Sequence, residues 1–169
     1  MELEQNLNVV VYPSKVNPDF TVHVVYKEHE GYKTIRESLE KLNNSIGALW
    51  VGTKNIFIDG ERVADEGIDR DQLLAIEAHE IAHSMLGHKG GVDSKSEQEA
   101  DLLAVALLTM DAEWRAAEVL KARMFDLYGI NYDEFEEEYA AEEEAELADW
   151  DVTLSDGMDS IPWIISGSL

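Results

Sequence analysis

Between positions 71 and 88 the chain reads DQLLAIEAHEIAHSMLGH, and this stretch limits the possible folds more than any other. Ile76, Ala78, Ile81, Ala82, Met85 and Leu86 make a helix there apolar around His79, Glu80 and His83, and Gly87 is placed to end it in a left-handed cap. Residues four apart share one helix face, so His79 and His83 can aim their imidazoles at one metal ion while Glu80 stands beside it to handle a proton. The plainer reading is a surface helix whose His and Glu face water. It fits poorly, because polar groups among aliphatic side chains need partners, and one metal ion with its water serves all three.

Zinc in a catalytic site takes three protein ligands and a water, so a third ligand is expected downstream. A further His in the pattern H-E-x-x-H-x-x-G-x-x-H is excluded, since position 86 is Leu86 and position 89 is Lys89. The chain has no Cys, which removes thiolate ligands and disulfides alike. Carboxylates remain. Glu97 and Asp101, at i and i+4, share a face of the next apolar helix, so Glu97 is the preferred third ligand, with Asp101 orienting a ligand His from behind. Glu99, Asp93 or no third ligand at all are the alternatives. Glu97 also has a structural reading, because Ser94-x-x-Glu97 and Ser96-x-x-Glu99 are both acceptable capping boxes. Only one can open the helix, and a cap at Ser96 would free Glu97 for the metal.

Glu97-x-x-x-Asp101 following His79 to His83 resembles the gluzincin arrangement of zinc metallopeptidases. More narrowly, HEIAHSMLGH followed by EQEADLLAVALL is similar to the ImmA/IrrE-type peptidases, whose second helix runs E-x-E-A-N/D-x-F-A-A-x-L-L-M-P. Glu97, Glu99, Ala100, Asp101, Ala104, Leu107 and Leu108 fall on that pattern. Leu103, Val105 and Thr109-Met110 depart from it, and none of these is a proposed ligand. The resemblance covers residues from about 45 to 110. It implies a zincin-like fold, one zinc ion per chain, and hydrolysis of a peptide bond in a protein or peptide substrate, in the best-known members a regulatory protein. Glu80 would then serve as general base toward a zinc-bound water and afterwards as acid toward the leaving amine. No helix-turn-helix segment accompanies these motifs.

The rest of the chain supplies the frame. Asn8 to Tyr12 and Phe20 to Tyr26 are β-branched and aromatic runs that predict two strands, and Ile35, Leu39, Leu42 and Ile46 predict an amphipathic helix over 33–46. Gly47 to Gly52 and Asn55 to Gly60 read as a hairpin, with Gly60 and Gly67 punctuating a loop into the metal helix. Ala48-Leu49-Trp50 resembles the edge strand along which gluzincins bind peptide as an added strand, and Trp50 reads equally well as sheet core. Asp111 is the expected N-cap of a third helix carrying Ala117, Leu120, Met124, Leu127 and Tyr128, and a fourth is expected from Asp133 to about Asp149. The predicted fold is thus α+β: a small, mostly antiparallel N-terminal sheet with a backing helix, the H-E-x-x-H helix, then a helical C-terminal part. One compact domain over 1–130 is expected, with an acidic helical extension and an apolar tail over 131–169.

The charge is −23 and unevenly spread: from Asp126 onward there are fourteen Asp and Glu and no Lys or Arg. Nucleic acid is not expected as a direct partner, because phosphates are bound by clustered cations. Two other accounts of the acidity stand beside the peptidase reading. One is a metal-stabilised, non-catalytic interaction protein that binds partners through its acidic C-terminal region; the other is solubility in a salt-rich environment. Ser160 to Leu169 turns apolar again and has three readings: core, partner site, or a pseudo-substrate lying in the cleft and inhibiting it. No run resembles a signal peptide or a membrane span of about 20 apolar residues, so a cytoplasmic location is expected. His23 and His29 read as ordinary strand and turn residues, and His88 as a helix-end cation. His88, Tyr128, Tyr132 and Tyr139 are the candidate donors to a developing oxyanion, and spacing does not choose among them.

Overall fold

In the computed structural model the chain divides into two compact units, Met1–Gly129 and Ile130–Leu169. Residues 8–88 and 93–134 are described, and every element below belongs to the first unit. The β-branched runs form β1 (Val9–Pro13) and β2 (Thr21–Val25), followed by α1 (Tyr32–Lys41), β3 (Gly47–Leu49) and β4 (Asn55–Asp59). The helices α2 (Gly60–Asp65), α3 (Arg70–Met85), α4 (Ser94–Met110) and α5 (Trp114–Tyr128) come next.

The sheet runs β1-β2-β4-β3. Its outer pairs are antiparallel and its central pair, β2 with β4, is parallel. A parallel pair needs a crossover, which α1 and β3 provide. Alternation then sorts the side chains. Val22 and Val24 of β2 and Ile56 and Ile58 of β4 turn to one face and are buried with Phe20 and with Ile81 of α3. On the other face Tyr32 and Arg36 of α1 reach Asp59 at the end of β4. The α+β layout expected from the sequence is the one observed.

Helix boundaries differ from the periodicity reading where polar residues intervene. α1 stops at Lys41 because Asn43 and Asn44 adopt left-handed φ of 53° and 58°, a conformation Asn tolerates. Ile46 therefore leaves the helix and leads into β3, where its carbonyl accepts from the Asp59 N–H at 2.9 Å. The expected loop after Gly60 contains α2, since the Asp59 carboxylate accepts from the N–H groups of Glu61 and Arg62 and so caps a helix there. Asp111 does not open the third helix but ends α4; Ala112 turns the chain at φ 58° and Glu113 precedes α5, its carboxylate paired with Arg70 at 2.7 Å.

α3 is set by its ends and by one buried charge. Asp69 and Gln72 form a reciprocal capping box at its start. Glu77, 2 % exposed on the sheet side, accepts hydrogen bonds from Tyr12 Oη at 2.7 Å and Ser14 Oγ at 2.8 Å. These bonds tie the helix to β1 and the residue following it. Glu77→Ala would leave the buried Ser14 hydroxyl and the half-buried Tyr12 hydroxyl without their acceptor, so a loss of about 2 kcal/mol is expected in urea unfolding. An unchanged midpoint would show that the clamp contributes nothing.

α4 and α5 pack on α3 and on each other, with Ala78, Ala82, Ala100 and Ala104 fully buried among them. Among the described residues no helix is long and apolar enough to cross a membrane. The continuation past Glu134 of the helix expected from Asp133, and the apolar Ser160 to Leu169 segment, lie outside the described residues.

Candidate metal centre

α3 and α4 bring three side chains to a point. His79 Nε2 and His83 Nε2 are 3.0 Å apart, and the two oxygens of Glu97 lie 3.4 Å from the first and 3.3 Å from the second. Among the described residues these three form a group able to hold a metal ion. The two imidazole nitrogens stand a little closer than the roughly 3.3–3.4 Å that a tetrahedral ion with arms of about 2.0–2.1 Å sets between its ligand atoms, and each meets a different oxygen of Glu97, so the carboxylate would present one of the two to an ion. Two imidazole nitrogens and one carboxylate are also a ligand set that such ions accept, so the residues fit.

Glu97 is free for this role because neither serine caps α4. Asp93 does, accepting from the N–H groups of Lys95 and Ser96 and from Ser96 Oγ. The two capping boxes expected from the sequence are therefore both replaced by an aspartate one residue upstream of Ser94, which leaves Glu97 one turn into the helix. It also spends Asp93, one of the alternative ligands, on the helix start. Glu99 instead faces His88 and Lys95, at 3.4 and 3.5 Å.

Each imidazole is held from behind. His79 Nδ1 meets the fully buried Asp101 at 2.7 Å, and Asp101 is in turn hydrogen-bonded by Arg123 of α5. Arg123 also reaches toward Glu97, at 3.5 Å. His83 Nδ1 meets His88 Nδ1 at 2.8 Å. Burial lowers the pKa of His79, but the hydrogen bonds to Asp101 and Glu97 outweigh it and lift it to about 9. The hydrogen bonds from His79 and then His83 hold the Glu97 carboxyl well below the usual range. A cation bound at these atoms therefore competes with protons.

The centre opens on a cleft of about 670 Å³ whose walls include Leu49, Glu80, Arg123 and Tyr128. Glu80 sits beside the ligands and its Oε2 accepts the N–H of Leu49 at 2.8 Å. This bond is available because β3 is an edge strand. The Ile46 carbonyl and the Trp50 N–H face β4, so the N–H of Leu49 points away from the sheet. Burial raises the pKa of Glu80, against the pull of His79 and of the Leu49 N–H, as expected of a carboxylate suited to taking a proton. Burial likewise raises the Tyr128 phenol.

His79, Glu80, His83, Glu97 and Asp101 are thus gathered at one place, while His23 and His29 are elsewhere. His23 stacks on Phe57 and pairs with Asn55, and His29 accepts from Gly31 N–H. Trp50 is not sheet core; it lies past the end of β3, 52 % exposed and edge-on to Phe57. Tyr132 belongs to the second unit and Tyr139 lies outside the described residues. Two contributors were missed by the sequence reading. Arg123 had no local signal, being one cation on a helix whose spacing marks Ala117, Leu120, Met124, Leu127 and Tyr128 as its apolar side, of which Leu127 is in fact exposed. The Leu49 N–H, a backbone group, left no trace beyond the strand itself. Comparison with known proteins adds no assignment: no family model, curated protein or solved structure matches the chain.

Proposed function

We propose that the chain is a zinc-dependent metallopeptidase of gluzincin type that hydrolyses peptide bonds in a protein or peptide substrate. One observation carries this reading: the His79, His83 and Glu97 ligand atoms converge within an open cleft while the Glu80 carboxylate is held beside them by the Leu49 N–H. A centre that only stabilised the fold would need neither the cleft nor Glu80.

The two nitrogens and one carboxylate favour zinc over magnesium or calcium, which prefer oxygen ligands throughout. A zinc ion at this site supplies Lewis acidity toward a water and toward the carbonyl to be cleaved. Everything else falls to the chain. Asp101 fixes the ring of His79, and Arg123 fixes Asp101. Glu80 takes the proton of the attacking water and returns it to the departing amine. Tyr128 and Arg123 are among the hydrogen-bond donors on the cleft wall that could meet a carbonyl oxygen gaining charge, Arg123 being also engaged with Asp101 and Glu97. On the outer edge of β3 the Leu49 N–H is taken by Glu80 and the Gly47 carbonyl by Ser45 Oγ, so an extended peptide that pairs there displaces those bonds.

The catalytic half of the proposal is tested by Glu80→Gln, and the metal-binding half by elemental analysis of the purified chain beside Glu97→Ala. One zinc per chain is expected for the parent and a clear loss for the variant. Parent protein that holds no zinc after reconstitution would overturn the proposal and shift attention to the acidic C-terminal region as a binding surface.

A further inference from the structure

His83 and His88 are brought together by the way α3 ends. Gly87 takes a left-handed φ of 71°; its N–H donates to the Ser84 carbonyl at 3.2 Å and the His88 N–H to the His83 carbonyl at 3.0 Å. This pair of bonds is a Schellman motif, in which the second residue past the cap comes back over the last turn. In many helices that contact is apolar. Here it sets one imidazole on another, with ring centres 5.0 Å apart and the two Nδ1 atoms at 2.8 Å.

Hydrogen-bond chemistry then gives the contact a direction. His83 Nε2 is the nitrogen that converges with His79 and Glu97, so when it binds a metal it carries no hydrogen, and the ring's hydrogen sits on Nδ1. His83 Nδ1 therefore donates, and His88 Nδ1 must accept. The hydrogen of His88 is left on Nε2, which lies 3.4 Å from Glu99 Oε2. Glu99 can accept it, and Lys95 Nζ stands 3.5 Å from the other oxygen of Glu99. Each step admits one arrangement once the metal is bound.

We propose that His88 is a positioning residue for the candidate metal ligand His83, hydrogen-bonded to it through Nδ1 and facing Glu99 at ion-pair distance on its other side, so that the three form a relay. The two imidazole ligands are thereby held by unlike means. His79 leans directly on a fully buried carboxylate, whereas His83 leans on a second imidazole that lines the cleft, backed by a half-exposed glutamate. The relay rests on the metal-binding half of the proposed function and does not depend on peptide hydrolysis.

The test is zinc affinity of the full chain by competition with a chelating dye, for the parent, His88→Phe and His88→Asn. Circular dichroism confirms that each variant is folded. Phenylalanine fills the space without an acceptor, and zinc is expected to bind about 10–100-fold more weakly. Asparagine sets a carbonyl oxygen near the place of Nδ1 and is expected to bind more tightly than His88→Phe. Nitrogen-detected imidazole NMR of the zinc-loaded parent should show His88 with its hydrogen on Nε2 alone. Parent protein that binds zinc while His88→Phe matches it, or while His88→Asn does no better than His88→Phe, overturns the relay and leaves the metal centre standing. So does a hydrogen on His88 Nδ1. A parent chain that binds no zinc overturns both.

Discussion

Glu80→Gln is expected to bind zinc like the parent and to lose about 10²–10⁴-fold in peptide hydrolysis, the range over which a positioned proton acceptor contributes. Glutamine has nearly the shape of glutamate, and its carbonyl oxygen can still accept the Leu49 N–H, so the wall of the cleft should keep its form. What it lacks is a site for the proton of the attacking water. The comparison is made with a quenched-peptide library, reading zinc content and turnover on the same preparations. Equal turnover in the two proteins would remove Glu80 from the chemistry. Zinc-loaded parent protein that cleaves nothing in the library, with Glu80→Gln indistinguishable from it, would favour the non-catalytic interaction reading.

Asp59→Ala is expected to lower stability by about 3–4 kcal/mol, a large share of the roughly 5–15 kcal/mol available to a folded domain. The carboxylate is fully buried and takes four donors: Arg36 Nη1 at 2.6 Å, Tyr32 Oη at 3.1 Å, and the N–H groups of Glu61 and Arg62 at 3.1 and 3.2 Å. Its removal breaks an ion pair and uncaps α2 in one step. Arg36 is about one-third exposed and can partly rehydrate, which puts the ion-pair share near the lower end of its usual range. Loss of the cap adds about 1 kcal/mol. Urea unfolding with an unchanged denaturant slope is the measurement, and a loss below about 1 kcal/mol would show that the four donors find water instead.

The parts legible in the sequence are those set by short-range spacing. His79 and His83 lie four residues apart on α3, Glu97 and Asp101 four apart on α4, and the alternation of Val22, Val24, Ile56 and Ile58 marks the inner face of the sheet. Helix ends were harder to read because several polar residues compete for each cap. Ser94, Ser96 and Asp93 all lie within reach of the start of α4, and only the fold shows that Asp93 takes the backbone donors. Asn43 and Asn44 likewise end α1 through a conformation that hydrophobic periodicity does not register. What sequence spacing could not supply is contact between distant elements. Arg123 meets Asp101 because α5 folds back on α4, and Leu49 meets Glu80 because β3 is the last strand of the sheet. His88 is intermediate. Gly87 was readable as a left-handed cap, and the return of the next residue over His83 follows from that cap.

His79, His83 and Glu97 also differ from Glu80 in how they depend on chain topology. His79, His83 and Glu97 sit on two consecutive helices, so their meeting requires only that α3 and α4 pack as a hairpin. The orientation of Glu80 requires β3, whose place is fixed only after β4 has paired with β2 across a crossover. Contacts close in sequence form early in folding and distant strand pairings late. The clustering of the two imidazoles with Glu97 thus depends on contacts local in the sequence, whereas the placing of Glu80 depends on a strand pairing distant in it, so a substitution that disturbs the sheet is expected to displace Glu80 before it parts the other three.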